Sequence, residues 1–324
     1  MARAVDLSVG GWTPARVVWD GSGPEVEWCY TAGEPFTDPF FEQTLGRCVR
    51  RPFSLLFRPR TPIERLAELQ PGLEPSGFVF HASRCGSTAV AQVFAASSRN
   101  LVLSEPSPVD AVLRLPVPDS DRIKWLRWLI GVLGRPPRAE VRYVLKLDAW
   151  SVLSLRVIRA AFPGTPWIFL FRDPLEILVS QLQHRGAHMA PGGLPPELFG
   201  LEPAAVRIMA PEEYCARVLG AICQAAVEGD DERAMFVNYR ELPDVVLGPV
   251  ARLFGIEMTP EEHLQAEAAA GLDAKNPVLP FEDDSREKRA AATSAMRVAA
   301  ERWAGEPYHR LEEARRRQRE RVAC

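Results

Sequence analysis

Residues 77–100, GFVFHASRCGSTAVAQVFAASSRN, decide the fold. Phe78, Val79 and Phe80 form a short β-prone apolar run, and Ala89, Val90, Val93 and Phe94 then recur at helical spacing. The stretch therefore reads as a buried strand, a tight turn and an amphipathic helix. Its turn, Ser83-Arg84-Cys85-Gly86-Ser87-Thr88, has the chemistry of an anion cradle. Gly86 lets the backbone approach an anion, and Ser87 and Thr88 add hydroxyls. The new helix aims free N–H groups and its positive dipole end at the same point. An ordinary strand-turn-helix corner uses many of the same residue types, so the turn alone leaves both readings open.

A nucleoside-triphosphatase loop, G-x-x-x-x-G-K-[ST], does not fit: Gly77 stands nine residues before Gly86, and no Lys follows the glycine. The basic residue, Arg84, comes before it. That order resembles the 5′-phosphosulfate loop, P-[KR]-S-G-[ST]-T, of sulfotransferases that use 3′-phosphoadenosine 5′-phosphosulfate (PAPS). Arg84, Gly86, Ser87 and Thr88 match it, whereas Ser83 and Cys85 depart. Cys85 beside Arg84 at a helix start has the setting of an activated thiolate, but the resemblance makes it a replacement for the family's small Ser.

Working outward, Leu101–Leu103, Val141–Asp148, Trp167–Phe171 and Ala234–Val237 read as further strands. Helical patterns lie between them: Ser107–Leu115, Asp119–Leu133 with Asp119 or Ser120 as cap, Trp150–Ala161, Pro174 to about His184, and Pro211–Glu228. Glu241–Phe254 reads as a helix, 273–285 as a polar surface linker, and two helices close the chain. Strand and helix alternation implies an α/β fold, a P-loop-type parallel five-stranded sheet with helices on both faces. Residues 1–75 differ in texture, with Trp12, Trp19, Trp28, Tyr30, Phe36, Phe40 and Phe41 among Gly and Pro. They read as an aromatic-rich N-terminal extension packed on a core domain of residues 76–324. Gly and Pro between Arg185 and Ala210 suit a mobile lid or substrate loop.

Further motifs extend the resemblance. FRDPLEILVS places Arg172 at a strand end and Ser180 eight residues on, as in the R-[DN]-P…S pattern whose Arg and Ser hold the 3′-phosphate of PAPS. Lys146 resembles the strand Lys that steadies the transferring sulfonate. Lys146 and Asp148, two apart on a strand, would share a face toward the loop, or bridge strand ends as an ion pair. Asp148 stands where cytosolic sulfotransferases place a catalytic His. Glu105, seventeen residues after Thr88, resembles instead the Glu base of protein-tyrosine and several bacterial sulfotransferases. Glu105 is the favoured base and Asp148 the competitor, with helix capping the plain alternative for Glu105. Tyr239-Arg240-Glu241-Leu242 resembles a segment whose Tyr lies near adenine, and Lys288 is a further candidate phosphate ligand. These motifs span Phe78 to Phe254.

The resemblance implies transfer of a sulfonate from PAPS to a hydroxyl or amine on a small molecule or peptide, with PAP as product and no metal. The alternatives are a P-loop small-molecule kinase, disfavoured by the missing Lys, and a non-catalytic nucleotide-binding protein. His184 and His188 have metal-like spacing, but Gly186 between them and the lack of a carboxylate partner favour a polar loop. With 47% hydrophobic and 25% charged residues and a net charge of −3, the 324-residue chain reads as globular and without general attraction for nucleic acid or anionic membrane. No apolar run reaches membrane-spanning length, and the six cysteines form no C-x-x-C, which suits a reducing cytoplasm. Abundant Ala and Arg suit a bacterial source. Neither acceptor nor oligomeric state is legible. The basic run near the C-terminus reads as a solvated helix face.

Overall fold

Apolar runs of four or five residues bounded by polar turns become strands buried on both faces when helices can cover them. The computed structural model describes residues 7, 10–19, 21, 23–276 and 278–323. Its main sheet comprises β4 (Gly77–His81), β5 (Asn100–Ser104), β6 (Arg142–Lys146), β7 (Trp167–Phe171) and β8 (Ala234–Asn238). All pairings are parallel, in the order β5-β6-β4-β7-β8. Every residue of β4, β5 and β7 is buried, so helices close both faces of the sheet. Trp167 sits edge-on to Phe80 and Phe236 at centroid distances of 5.7 and 6.1 Å, locking three neighbouring strands together.

This order makes β4 the point where the chain changes direction. After β4 it builds β5 and β6 on one side, then crosses to build β7 and β8 on the other. The crevice at the carboxyl ends of such a sheet is where ligands bind, and the Gly86 turn opens onto it.

The N-terminal residues form a separate antiparallel sheet of β1 (Trp12–Trp19), β2 (Pro24–Tyr30) and β3 (Arg60–Pro62). Trp28 is buried there, and its Nε1 donates to Thr61 Oγ1 at 3.0 Å. β1 packs on the helix Ser107–Leu113, so most of these aromatics serve packing. Phe40 is different and lines the crevice.

Several local expectations need correction. β6 ends at Lys146, and Asp148 starts a 3-10 turn, Ala149–Ser154, before the helix Leu155–Ala161. Lys146 and Asp148 thus do not belong to one strand face, and Lys146 pairs elsewhere. The 241–254 stretch is not one α-helix. A 3-10 turn at Tyr239–Glu241 is followed by a π-helical turn, Val246–Val250, around Pro249 and then by Ala251–Leu253. Pro249 lacks the N–H that a regular turn needs. The helix Asp119–Leu133 is preceded by Pro118, and no side chain caps it; Asp119 and Asp121 fall inside its first turn. The Gly- and Pro-rich segment after Arg185 buries Met189, Leu194, Phe199 and Leu201, which pin it to the core. Near the C-terminus, Arg315 and Arg319 of the helix Glu306–Ala323 pair with Glu241, so part of that basic run is structural.

Candidate active site

Each strand of the main sheet delivers one chemically active element to the same edge. The anion turn follows β4, Glu105 follows β5, Lys146 ends β6, Arg172 follows β7 and Tyr239 follows β8. The register makes this convergence direct, since Val79 and Ser104 both lie opposite Lys146, and the Glu105 amide donates to the Lys146 carbonyl at 2.7 Å.

The turn itself is tightly constrained. Ser83 and Arg84 adopt left-handed backbone (φ 63° and 50°), as does Gly86 (φ 88°). A left-handed non-glycine costs roughly 1–2 kcal/mol, so the surroundings must impose it. Gly86 is also required by space, because a Cβ there would lie 2.7 Å from Leu242 Cδ1 and 3.1 Å from the Tyr239 ring. Gln181 Nε2 donates to Ser83 Oγ at 2.9 Å, and Arg84 donates to the His184 carbonyl at 2.7 Å. The turn is thereby clipped to the end of the helix Pro174–Gln183. Cys85 is fully buried and its thiol faces the Leu170 carbonyl at 3.1 Å. Burial pushes that thiol up to about 12, so it is no thiolate, and its only group suited to an anion is its backbone N–H.

Arg84, Ser87, Thr88, Glu105 and Asp148 share the wall of a cavity of about 300 Å³ with Phe40, Trp150 and His188. Glu105, at φ 55°, is another left-handed non-glycine. Lys146, with no exposed surface, donates from Nζ to Glu105 Oε1 and lies 5.2 Å from the Phe40 ring centroid. His81 Nε2 is 3.4 Å from the same oxygen. Burial alone would raise the Glu105 carboxyl, but the Lys146 charge and His81 outweigh it and hold Glu105 well below the usual carboxylate range. Asp148 moves the opposite way. Burial raises it well above that range, and the nearby charges of Glu105 and Asp110 add to the shift. Of the two carboxyls, Glu105 is the one held ionised.

A larger cavity of about 680 Å³ opens on the other side of Gly86. Val90, Val93, Leu242 and Phe281 give it apolar walls, and Tyr239, Ser285 and Arg289 polar ones. The Arg172 guanidinium lies 3.9 Å from the Tyr239 ring centroid, 4% exposed and already engaged. Its Nε donates to Glu176 at 2.5 Å, and one terminal nitrogen donates to Asp284 at 2.8 Å and Ser285 at 2.9 Å. Lys288 bonds the other Asp284 oxygen at 2.7 Å. Ser180 is half-buried and on the wall of neither cavity. The segment read as a surface linker therefore ends in a carboxylate seated on Arg172.

Three residues of this arrangement carried no motif in the sequence, His81, Gln181 and Asp284, and His188 drew notice only for its spacing from His184. Of the three, His81 alone left a trace, as a histidine closing the strand that leads into the turn. His188 is buried against Trp150, at a centroid distance of 5.2 Å, and burial pulls it down to about 4.

No protein-family model matches the chain, and no curated protein matches it. Among solved structures, it is similar to a sulfotransferase from Alicyclobacillus acidocaldarius, with 16% identity, 75% of this chain and 96% of the other covered, and a TM-score of 0.43. It is also similar to a sulfotransferase domain from the curacin biosynthetic pathway, with 14% identity, 72% and 90% covered, and a TM-score of 0.41. A third is sulfotransferase STF1 from Mycobacterium tuberculosis H37Rv, with 16% identity, 65% and 77% covered, and a TM-score of 0.39.

Proposed function

We propose that the chain is a sulfotransferase that moves a sulfonate from PAPS to a hydroxyl or amine acceptor and releases PAP. The observation that carries this reading is the convergence of the Arg84–Thr88 turn, Glu105 and Lys146 on one cavity wall or directly behind it, next to a second, nucleotide-sized cavity across Gly86.

The residues present fit the donor. Gly86 leaves a cradle that a Cβ would fill, and the turn points toward the start of the helix Ser87–Ala95, which has the polarity an anion needs. Arg84, Ser87, Thr88 and the amides of Cys85 and Gly86 would hold the 5′-phosphosulfate. The apolar wall of the larger cavity and Tyr239 would take the adenine. Arg172 would hold the 3′-phosphate once Asp284 yields its place; Ser180 and Lys288 are secondary candidates.

PAPS supplies the activated sulfonate, and the protein supplies charge and a proton acceptor. Lys146 provides a buried positive charge behind the wall that Glu105 lines, where it favours developing negative charge. Glu105 accepts the proton of the attacking hydroxyl or amine. Lys146 donates to Oε1 and His81 Nε2 lies 3.4 Å from that same oxygen; among the described residues none bonds Oε2, which leaves a carboxylate oxygen for the acceptor. Asp148, held in its protonated form to higher pH than Glu105, is the carboxyl less available to accept a proton and serves to shape the wall.

The test is a pair of variants. Glu105→Gln keeps size and lowers PAPS consumption by ~10²–10⁴-fold, the usual worth of a general base, with PAP affinity nearly unchanged. Asp148→Asn has a milder effect. Near-normal turnover in Glu105→Gln with an inactive Asp148→Asn would transfer the role to Asp148.

A further inference from the structure

His81 is buried, with 5% exposure, at the last position of β4. The backbone N–H of Ser83 donates to its Nδ1 at 3.0 Å. A backbone amide can only donate, so Nδ1 carries the lone pair and, in the neutral ring, the proton must sit on Nε2. Nε2 is buried, has no hydrogen-bond partner among the described residues, and lies 3.4 Å from Glu105 Oε1. The carboxylate assigned as base is therefore an acceptor beside this otherwise orphaned N–H, and the Leu147 carbonyl is the other acceptor near the ring. Apo contacts of this length commonly tighten when a site fills.

We propose that His81 is a positioning residue: fixed in its Nε2–H tautomer by the Ser83 amide, it aims that N–H at Glu105 and ties the base to the conformation of the anion turn. This rests on the sulfotransferase reading for its functional meaning, though the pairing itself does not depend on it. The connection runs from the left-handed Ser83 through His81 to Glu105 and on to Lys146, over residues that three adjacent strands bring together. Two donors on one oxygen of Glu105 fix the carboxylate plane and leave Oε2 facing its task. Burial keeps the imidazole below its ordinary pKa, against the pull of Glu105, which is consistent with a neutral ring. The other charged groups around this pair are Asp148, His188, Lys275 and Arg84, and none of them offers Nε2 a closer acceptor.

Two measurements decide it. Nitrogen-15 spectra of the histidine rings, five in all, assigned with His81→Asn, identify the tautomer in the intact protein without any donor or acceptor. The expected result at neutral pH is a neutral Nε2–H ring whose proton signal is lost in Glu105→Ala. An Nδ1–H or doubly protonated ring would overturn the assignment. The second measurement is PAPS consumption with water as acceptor, alongside PAP affinity. His81→Asn keeps an acceptor for Ser83 but loses the donor to Glu105, and turnover falls ~10–100-fold while PAP affinity holds. His81→Gln, which reaches Glu105 with an amide N–H, recovers part of the loss. In the Glu105→Gln background, His81→Asn costs little more, because the two act as one unit. Fully additive losses would make His81 a packing residue only. If the wild type neither binds PAP nor consumes PAPS while the tautomer is as stated, the sulfotransferase reading fails and the His81–Glu105 pairing stands.

Discussion

Asp284 occupies the position in which the proposed 3′-phosphate would meet Arg172, so removing its charge should strengthen PAP binding. Asp284→Asn keeps the side-chain shape, and its amide oxygen can still accept from Arg172, which also stays paired with Glu176 at 2.5 Å. Folding should therefore survive. Bringing a phosphate charge to roughly 5 Å from the Asp284 carboxylate costs about 3 kcal/mol at an effective dielectric constant of ~20. Asp284 is 44% exposed, and solvent screening reduces this to about 1–2 kcal/mol. The variant also frees Lys288 from its 2.7 Å pairing with Asp284. Together these give PAP affinity roughly 5–30-fold tighter than wild type. Titration calorimetry with PAP, and with adenosine 5′-phosphosulfate as the ligand lacking the 3′-phosphate, reads the effect directly. The gain should appear for PAP and be small for the other nucleotide. Equal or weaker PAP binding in Asp284→Asn would refute the competition and with it the 3′-phosphate role of Arg172.

Lys146→Met removes the charge that holds Glu105 ionised; burial then dominates and raises its carboxyl. Turnover that needs ionised Glu105 is then lost at higher pH than in the wild type, and the acid limb of the pH–rate profile of PAPS consumption moves upward. An unmoved limb counts against the pairing. Glu262, 8% exposed, accepts from Ser97 at 2.6 Å, Arg142 at 2.8 Å and the Thr259 amide at 2.8 Å. Burial opposes its ionisation, but these partners lower it to about 2. Because this folded value lies below the ordinary ~4.3, the pair's stabilisation is present above about pH 4.3 and fades as pH falls toward 2. Glu262→Gln should cost about 3 kcal/mol in urea unfolding at pH 7 and much less near pH 2.5, and a loss of equal size at both would contradict this account.

The sheet was legible because its strands are short, apolar in their interiors and separated by helical periodicity, and residues buried on both faces leave little ambiguity. The Arg84–Thr88 turn, Glu105 and Arg172 were legible because each follows such a strand, where backbone direction alone sends it to one edge. Pairing was harder to read. Lys146 was set beside Asp148 through a strand extended two residues too far, whereas its partner, Glu105, lies 41 residues away. Asp284 reaches Arg172 across 112 residues, and nothing local in a polar segment announces such a contact. The Glu241–Phe254 stretch was misread because apolar spacing resembles a helix even where Pro249 prevents a regular one. His81 was passed over because a single histidine in an apolar strand gives no pattern, and its meaning comes only from the Ser83 amide and Glu105 on its two sides.

The most direct measurement is the fate of PAPS incubated with the purified protein and a pool of hydroxyl and amine acceptors in buffer containing EDTA. The account predicts that PAP accumulates faster than by spontaneous decay, that a sulfonated product appears in equal amount, and that chelation leaves the rate unchanged, because Arg84, Lys146 and the helix start supply the positive charge that Mg²⁺ provides in kinases. PAPS left intact, together with Mg²⁺-dependent consumption of ATP restored by removing the chelator, would contradict it.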